Sequence, residues 1–295
     1  WIANLEAERR VSAERLSSLP RVRTPQGTQV ASQSQPMADP RTVGNLNFGR
    51  YYALVIGNQN YRSLESLETP LRDAERVSKV LADKYGFIVQ ILEDANDVTM
   101  LRAINDLNGM LQPEDNVLIY YAGHGTRLQS GQVESGYWLP VNADPPPKDT
   151  FWVPNEQITG HLGRLKAKRV LVVADSCYSG LLSTDPSYMF FDSKIGYTQE
   201  YIKYKLPKRS RMLLSSGGDQ PVLDTGGGVH SVFASAFLEA LETNSQILST
   251  PELFSRIEKR VQAAAASNKF VQTPEFKSIK GAGHELGDFF FVPRG

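Results

Sequence analysis

Arg169-Val-Leu-Val-Val-Ala-Asp-Ser-Cys-Tyr-Ser-Gly180 decides the fold: a valine-rich apolar run passes into an aspartate, a serine, the only cysteine of the chain and a glycine. An unbroken apolar run of this length reads as a strand buried on both faces, the mark of a parallel sheet covered by helices. Cys177 falls where that strand must turn, and loops at strand ends are where reactive groups concentrate. A companion segment lies upstream. Asn116-Val-Leu-Ile-Tyr-Tyr-Ala-Gly-His-Gly-Thr-Arg127 is a second apolar run, and it ends with His124 between two glycines.

Outward from these two segments, strand and helix patterns alternate. The sequence predicts further strands at Tyr52–Gly57, Phe87–Leu92 and Arg211–Ser215, a short strand or hairpin over Glu134–Val141, and a closing strand at Asp288–Val292. Helical periodicity covers 71–85, 98–110, 155–165, 232–241 and 251–266. Strands separated by helices imply right-handed crossovers, hence an α/β fold with a mostly parallel central sheet flanked by helices on both faces. If the third and fourth main strands are neighbours, His124 and Cys177 come within reach of each other. Residues 1–19 favour helix by composition and offer a surface for partner contact, 20–49 read as a flexible linker, and 50–295 form one domain. The stretch from Leu181 to Lys208 is long and irregular.

Bulk composition narrows the function. Thirty-two basic residues balance thirty-two acidic ones, so no global field draws the 295-residue chain to nucleic acid or to a membrane surface. One cysteine cannot close an intramolecular disulfide, and no Cys/His spacing fits zinc, so no metal or cofactor is expected. No apolar stretch approaches the roughly 18 residues of a membrane span. The chain starts at Trp1 and not Met, which leaves room for a lost targeting or anchor segment; localisation stays open.

A thiol becomes a nucleophile as its thiolate, and a nearby imidazole can take the proton. His124 is the candidate base. Gly123 and Gly125 allow close backbone approach, and the N–H groups of Gly125 and Cys177 can form an oxyanion hole. The competing reading of Cys177 is a buried structural thiol. A Gly-His-Gly strand end about 50 residues upstream weighs against it. His161 reads as a helix-surface residue, His284 as a loop residue, and His230, which could line the site, as a capping or packing residue. No Gly-x-Ser-x-Gly elbow and no phosphate-binding loop occur, which argues against a serine hydrolase and a flavodoxin-like nucleotide module.

Taken together, Tyr-Ala-Gly-His124-Gly and Asp175-Ser-Cys177-Tyr-Ser-Gly on alternating strands resemble the caspase-like cysteine peptidases, and among them the bacterial and metacaspase-type members. The resemblance spans about residues 50 to 292. It implies a caspase-hemoglobinase fold, a His124/Cys177 dyad and cleavage of protein or peptide substrates. It also implies that Asp175 and Asp73, in Leu71-Arg-Asp-Ala74, line an acidic S1 pocket for arginine or lysine. Their other reading is local: a helix cap or salt bridge for Asp73, backbone bonding for Asp175. Ala122 departs from the family, where a serine contributes to that pocket. Calcium-dependent relatives resemble one another in an acidic cluster after the histidine; here Glu134 stands alone, so calcium dependence is not favoured. A basic-specific enzyme could process itself at Lys194, Lys203, Lys205, Lys208, Arg209 or Arg211, or at Arg21, Arg23 or Arg41. The rival reading is a catalytically silent scaffold that binds partners through residues 1–19.

Overall fold

The computed structural model describes residues 22–23, 41–177, 179–182, 199–217, 228–267 and 272–294. The expected helix at 1–19, Arg21 and Lys194 lie outside them. Along the chain run β1 (Val22–Arg23), β2 (Arg41–Val43), β3 (Leu46–Gly49), β4 (Tyr51–Gly57), α1 (Pro70–Tyr85), β5 (Ile88–Glu93), α2 (Asp97–Met110) and β6 (Asn116–Ala122). Then come β7 (Gly125–Ser130), β8 (Val133–Trp138), β9 (Val153–Pro154), α3 (Asn155–Arg164), β10 (Arg169–Asp175), a 3-10 turn (Ser179–Leu182), α4 (Gln199–Lys205) and β11 (Ser210–Ser215). The carboxyl-terminal part holds α5 (Val232–Glu242), β12 (Leu248–Ser249), α6 (Thr250–Ser267), β13 (Glu275–Ser278) and β14 (Phe290–Phe291).

The main sheet has the order β1-β5-β4-β6-β10-β11-β13. Its five central strands are parallel, and the two outer ones pair antiparallel. Every residue of β4, β6 and β10 is buried, which is why their sequences read as continuous apolar runs and not as alternation. Alternate side chains feed two cores. Ala53, Val55, Leu118 and Val173 pack under α1, α5 and α6, while Leu54, Ile56, Ile119 and Val172 pack under α2 and α3. Helix ends follow their chemistry: α1 opens on Pro70 and ends at Gly86 with φ 71, and Asn96 caps α2 by accepting from Thr99 N–H at 2.8 Å.

Two edges differ from the sequence reading. The segment expected as a closing strand pairs with β12 through Phe290–Phe291, away from the main sheet. Phe289, Phe290 and Phe291 instead fill the core, with Phe289 and Phe291 against Tyr51 and Tyr85. The sheet closes on β13, whose Glu-Phe-Lys-Ser is half-exposed and carries no apolar run to read. Within 20–49, Val22–Arg23 pairs with β5, and β2–β3 forms a hairpin that buries Phe48 fully.

At the amino-terminal edge of the sheet Arg169 is fully buried, and among the described residues no carboxylate pairs with it. Its guanidinium donates to the carbonyls of Leu206 (2.7 Å), Phe48 (3.1 Å) and Glu114 (2.6 Å) and to Asn116 Oδ1 (2.5 Å). One side chain thus satisfies four acceptors from three separate segments. Replacing it by leucine would strand buried carbonyls at about 1–3 kcal/mol each. Arg169→Leu is expected to lower stability by roughly 3 kcal/mol or more, measured as the shift in urea midpoint with unchanged slope.

Candidate active site

Strand register builds the site. Gly57 of β4 pairs with Ala122 of β6, and Ala122 pairs with Asp175 of β10, so three carboxyl ends finish level. His124 and Cys177 each lie two residues beyond neighbouring ends, in the crevice where parallel sheets place their chemistry. The expected adjacency of their strands is present. Cys177 is half-buried. The two turns touch through Gly125: a Cβ there would overlap the Cys177 carbonyl oxygen and lie 3.3 Å from Ser176 Oγ. Gly123 is equally confined, since its Cβ would lie 2.8 Å from Tyr61 Oη and 2.9 Å from Tyr121 Oη.

His124 is held from several sides. Its N–H donates to Tyr61 Oη at 2.7 Å, and its carbonyl accepts from Leu139 N–H at 3.0 Å, with the Tyr121 hydroxyl 2.7 Å away. The Tyr61 ring packs on the imidazole at 4.6 Å between centroids. Nε2 lies 2.8 Å from the Glu65 carbonyl. A carbonyl can only accept, so Nε2 carries the proton, and in the neutral ring Nδ1 is the basic nitrogen. The bond from Leu139 N–H also sets the ladder. It points the His124 carbonyl at β8, and because the C=O and the following N–H of a trans peptide point in opposite directions, the Gly125 N–H turns away from β8.

A second cluster gathers the two aspartates. Asp73, from the first turn of α1, is fully buried, and Asp175, at the end of β10, is 8% exposed. Ser231 joins them. Its N–H donates to Asp73 Oδ2 at 3.3 Å, its hydroxyl donates to Asp175 Oδ2, and the same oxygen caps α5 by accepting from Ala234 N–H at 2.9 Å. His230 Nδ1 lies 2.6 Å from Asp73 Oδ1. Burial pushes the Asp73 carboxyl above the usual carboxylate range, and hydrogen bonds from His230, Thr69 and Ser231 partly offset it. Tyr120 is buried beside them; burial foremost, then the charges of Asp175 and Asp73, raises its hydroxyl well above the usual phenol range.

The motifs pointed to His124, Cys177, Gly125, Asp175 and Asp73, but not to Tyr61, Glu65 or Ser231, which hold them. Tyr61 and Glu65 sit in the loop after β4, where no motif marks them. Ser231 had a visible signal, a serine just before an apolar helical run. His230, read as capping or packing, contacts an aspartate instead. His161 accepts from Arg164 within α3. His284 accepts from Arg211 N–H at 3.1 Å, and burial, with Lys205 and Arg211 nearby, lowers its imidazole to about 4. Glu134 pairs with Arg127 at 2.7 Å. Among the basic residues considered as cut sites, Lys203 and Lys205 lie within α4, and Arg209 donates to the Gly163 carbonyl. Arg211 is fully buried on backbone carbonyls, four of them from Leu162, Leu165, Ala167 and Lys168, so it is unavailable for cleavage in the folded chain.

A family model described as Caspase domain (peptidase C14) matches residues 50–281. Metacaspase-1 of Cryptococcus neoformans is 27% identical over 230 residues, covering 70% of this chain and 48% of its own length. Metacaspase-7 of Arabidopsis thaliana is 26% identical over 144 residues, 43% of this chain and 34% of the relative. The chain thus spans about half, or less, of the length of these curated relatives. A crystal structure of a Geobacter sulfurreducens protein superposes with a TM-score of 0.55 at 19% identity, over 81% of this chain and 98% of that one, a likeness of fold. No described helix is long and apolar enough to cross a membrane.

Two outcomes follow from the packing. Gly125→Ala forces the two turns apart; we expect a loss of about 1–3 kcal/mol from overpacking and an altered rate of Cys177 alkylation by iodoacetamide. In the second case, His284 stays neutral in the fold down to about pH 4, whereas the unfolded chain protonates it near 6.5. Its contribution is complete above pH 6.5 and is lost as pH falls towards 4. The slope is less than about 1.4 kcal/mol per pH unit because the ring keeps partial solvent contact. His284→Gln should flatten the urea midpoint against pH across that window.

Proposed function

The chain belongs to the caspase-domain family, and on that basis we propose that it is a cysteine endopeptidase with a Cys177/His124 dyad that cleaves after arginine or lysine. The observation that carries the reading is the contact of Gly125 with the Cys177 carbonyl at adjacent strand ends. It supports the reading by setting the backbone of Cys177 against the turn that carries His124, with the Gly125 N–H turned away from β8. His124 Nδ1 takes the thiol proton, and the thiolate attacks the scissile carbonyl carbon. The Gly125 and Cys177 N–H groups stabilise the oxyanion as the tetrahedral intermediate forms. As it collapses, the C–N bond breaks, Nδ1–H protonates the leaving amine, and a thioester remains on Cys177. Water, deprotonated by Nδ1, attacks the thioester; the acid product leaves, and the proton returns to sulfur. Each of these steps uses side chains and backbone groups of the chain itself.

Glu65 supports this division of labour. By holding the Nε2 proton, its carbonyl keeps the ring in one tautomer and leaves the other nitrogen for the thiol. The preference for arginine or lysine rests on Asp73 and Asp175, two neighbouring carboxylates with little solvent, which a substrate cation can balance. Self-processing would use exposed basic residues; Lys203 and Lys205 fit only after α4 opens, and Arg211 is excluded by burial.

Fluorogenic peptides with arginine, lysine or aspartate before the scissile bond provide the test. Turnover of the basic peptides is expected, with Cys177→Ala lowering kcat on the order of 10⁴-fold or more. Intact mass should show fragments ending in lysine or arginine in native protein and none in the variant. Turnover that survives Cys177→Ala defeats the dyad, aspartate preference defeats the acidic pocket, and no turnover at all favours a silent scaffold.

A further inference from the structure

Asp73 has no exposed surface, while the His230 side chain on its Oδ1 is 24% exposed. Both oxygens of Asp73 are engaged, Oδ1 by His230 and Oδ2 by Ser231 N–H. A cation arriving at this carboxylate meets an imidazole already seated there. His230 also lines a cavity of about 360 Å³, whose wall includes Arg76, Ser235, Glu239 and Glu242. The charged groups of that cavity are paired: Arg76 with Glu242 at 2.5 Å, and Glu239 with Arg260 at 2.9 Å. The ring therefore has a place to move to, with carboxylates along the wall. Behind Asp73, Asp175 is tied to Ser231, the residue next to His230, so a shift at 230 is transmitted to the second carboxylate.

We propose that His230 is a specificity-determining gate: its imidazole occupies Asp73 Oδ1 before substrate enters, and the guanidinium or ammonium preceding the scissile bond displaces it into the neighbouring cavity. This rests on the reading of Asp73 and Asp175 as the substrate pocket. The exchange replaces one hydrogen-bonding partner of a buried carboxylate by another, so Asp73 Oδ1 never stands unpaired. A substrate side chain without positive charge cannot make that exchange. It must leave His230 in place or strand Asp73, and the gate thereby discriminates against it. The consequence for a basic substrate is a weaker apparent affinity than the open pocket would give, reduced by the strength of the contact that must be broken.

Agmatine, an arginine side chain without the peptide, separates the gate from the chemistry. It is titrated by calorimetry into full-length Cys177→Ala protein with His230, His230→Gln or His230→Ala. Saturable binding is expected in all three, on the order of tenfold tighter in His230→Ala, with His230→Gln between because an uncharged amide still donates to Asp73. The chain has four histidines, so the His230 ring resonance is identified by its loss in His230→Ala and should shift as agmatine saturates. In the catalytically intact protein His230→Ala should lower KM for an arginine peptide more than it changes kcat. Binding that disappears in Asp175→Ala but is indifferent to His230, or a His230 resonance unmoved at saturation, overturns the gate and leaves the acidic pocket standing. Failure of agmatine to bind any of the proteins removes the pocket reading and the gate with it. Circular dichroism and thermal midpoint confirm that each variant is folded.

Discussion

A one-residue slip of β6 against β10 would turn every side chain of the slipped strand to the opposite face, burying its set against the wrong helices. Both faces of this sheet are covered, so the penalty applies twice, and the register of β4, β6 and β10 is correspondingly firm. The level ends of those strands are what bring the Gly-His-Gly turn and the Asp-Ser-Cys turn side by side. Arg169 secures the opposite edge by joining the carbonyls that precede β4, β6 and β11. The site is therefore positioned by packing and backbone pairing far more than by its own contacts.

The two halves of the crevice are held by different physics. His124 is fixed by uncharged groups: phenol hydroxyls, the Glu65 carbonyl, the Leu139 N–H and an aromatic face. Such contacts depend weakly on pH and salt, so they would hold the ring in place through the proton transfers of the proposed reaction. The aspartates are held by a serine at the amino terminus of α5, by an imidazole and by the helix itself. An N-terminus offers N–H donors and partial positive charge, which offsets part of the cost of burying carboxylates. Burial nonetheless remains the largest influence on Asp73.

How legible this was from the sequence varies with the kind of information. Buried parallel strands announce themselves because their apolar runs are continuous, so β4, β6, β10 and β11 were readable to within a residue or so. The edges were not. β13 has a single phenylalanine among polar residues, and Phe289-Phe-Phe291 has the composition of a strand but is used mostly as aromatic packing for Tyr51, Tyr85 and Phe87. Residues that carry a motif could be named from the sequence, and the residues that contact them could not. Tyr61 and Glu65 act through a hydroxyl and a main-chain carbonyl in a loop, and neither role requires a pattern that spacing can reveal. Arg211 misled for a related reason: a basic residue reads as surface charge, and nothing in the sequence shows that backbone carbonyls will surround it.

Ser231 shows why the support matters as much as the motif. As an isolated helix cap it would contribute about 1 kcal/mol. Here the same side chain accepts from Ala234 and donates to Asp175, while its N–H reaches Asp73. The start of α5 therefore fixes the spacing of two carboxylates that arise from different elements, α1 and β10. Without that bridge, like charges in a dry pocket would relax apart or share a proton. With it, the two carboxylates stay joined through one residue, and the neighbouring His230, 24% exposed on a fully buried Asp73, becomes the adjustable member.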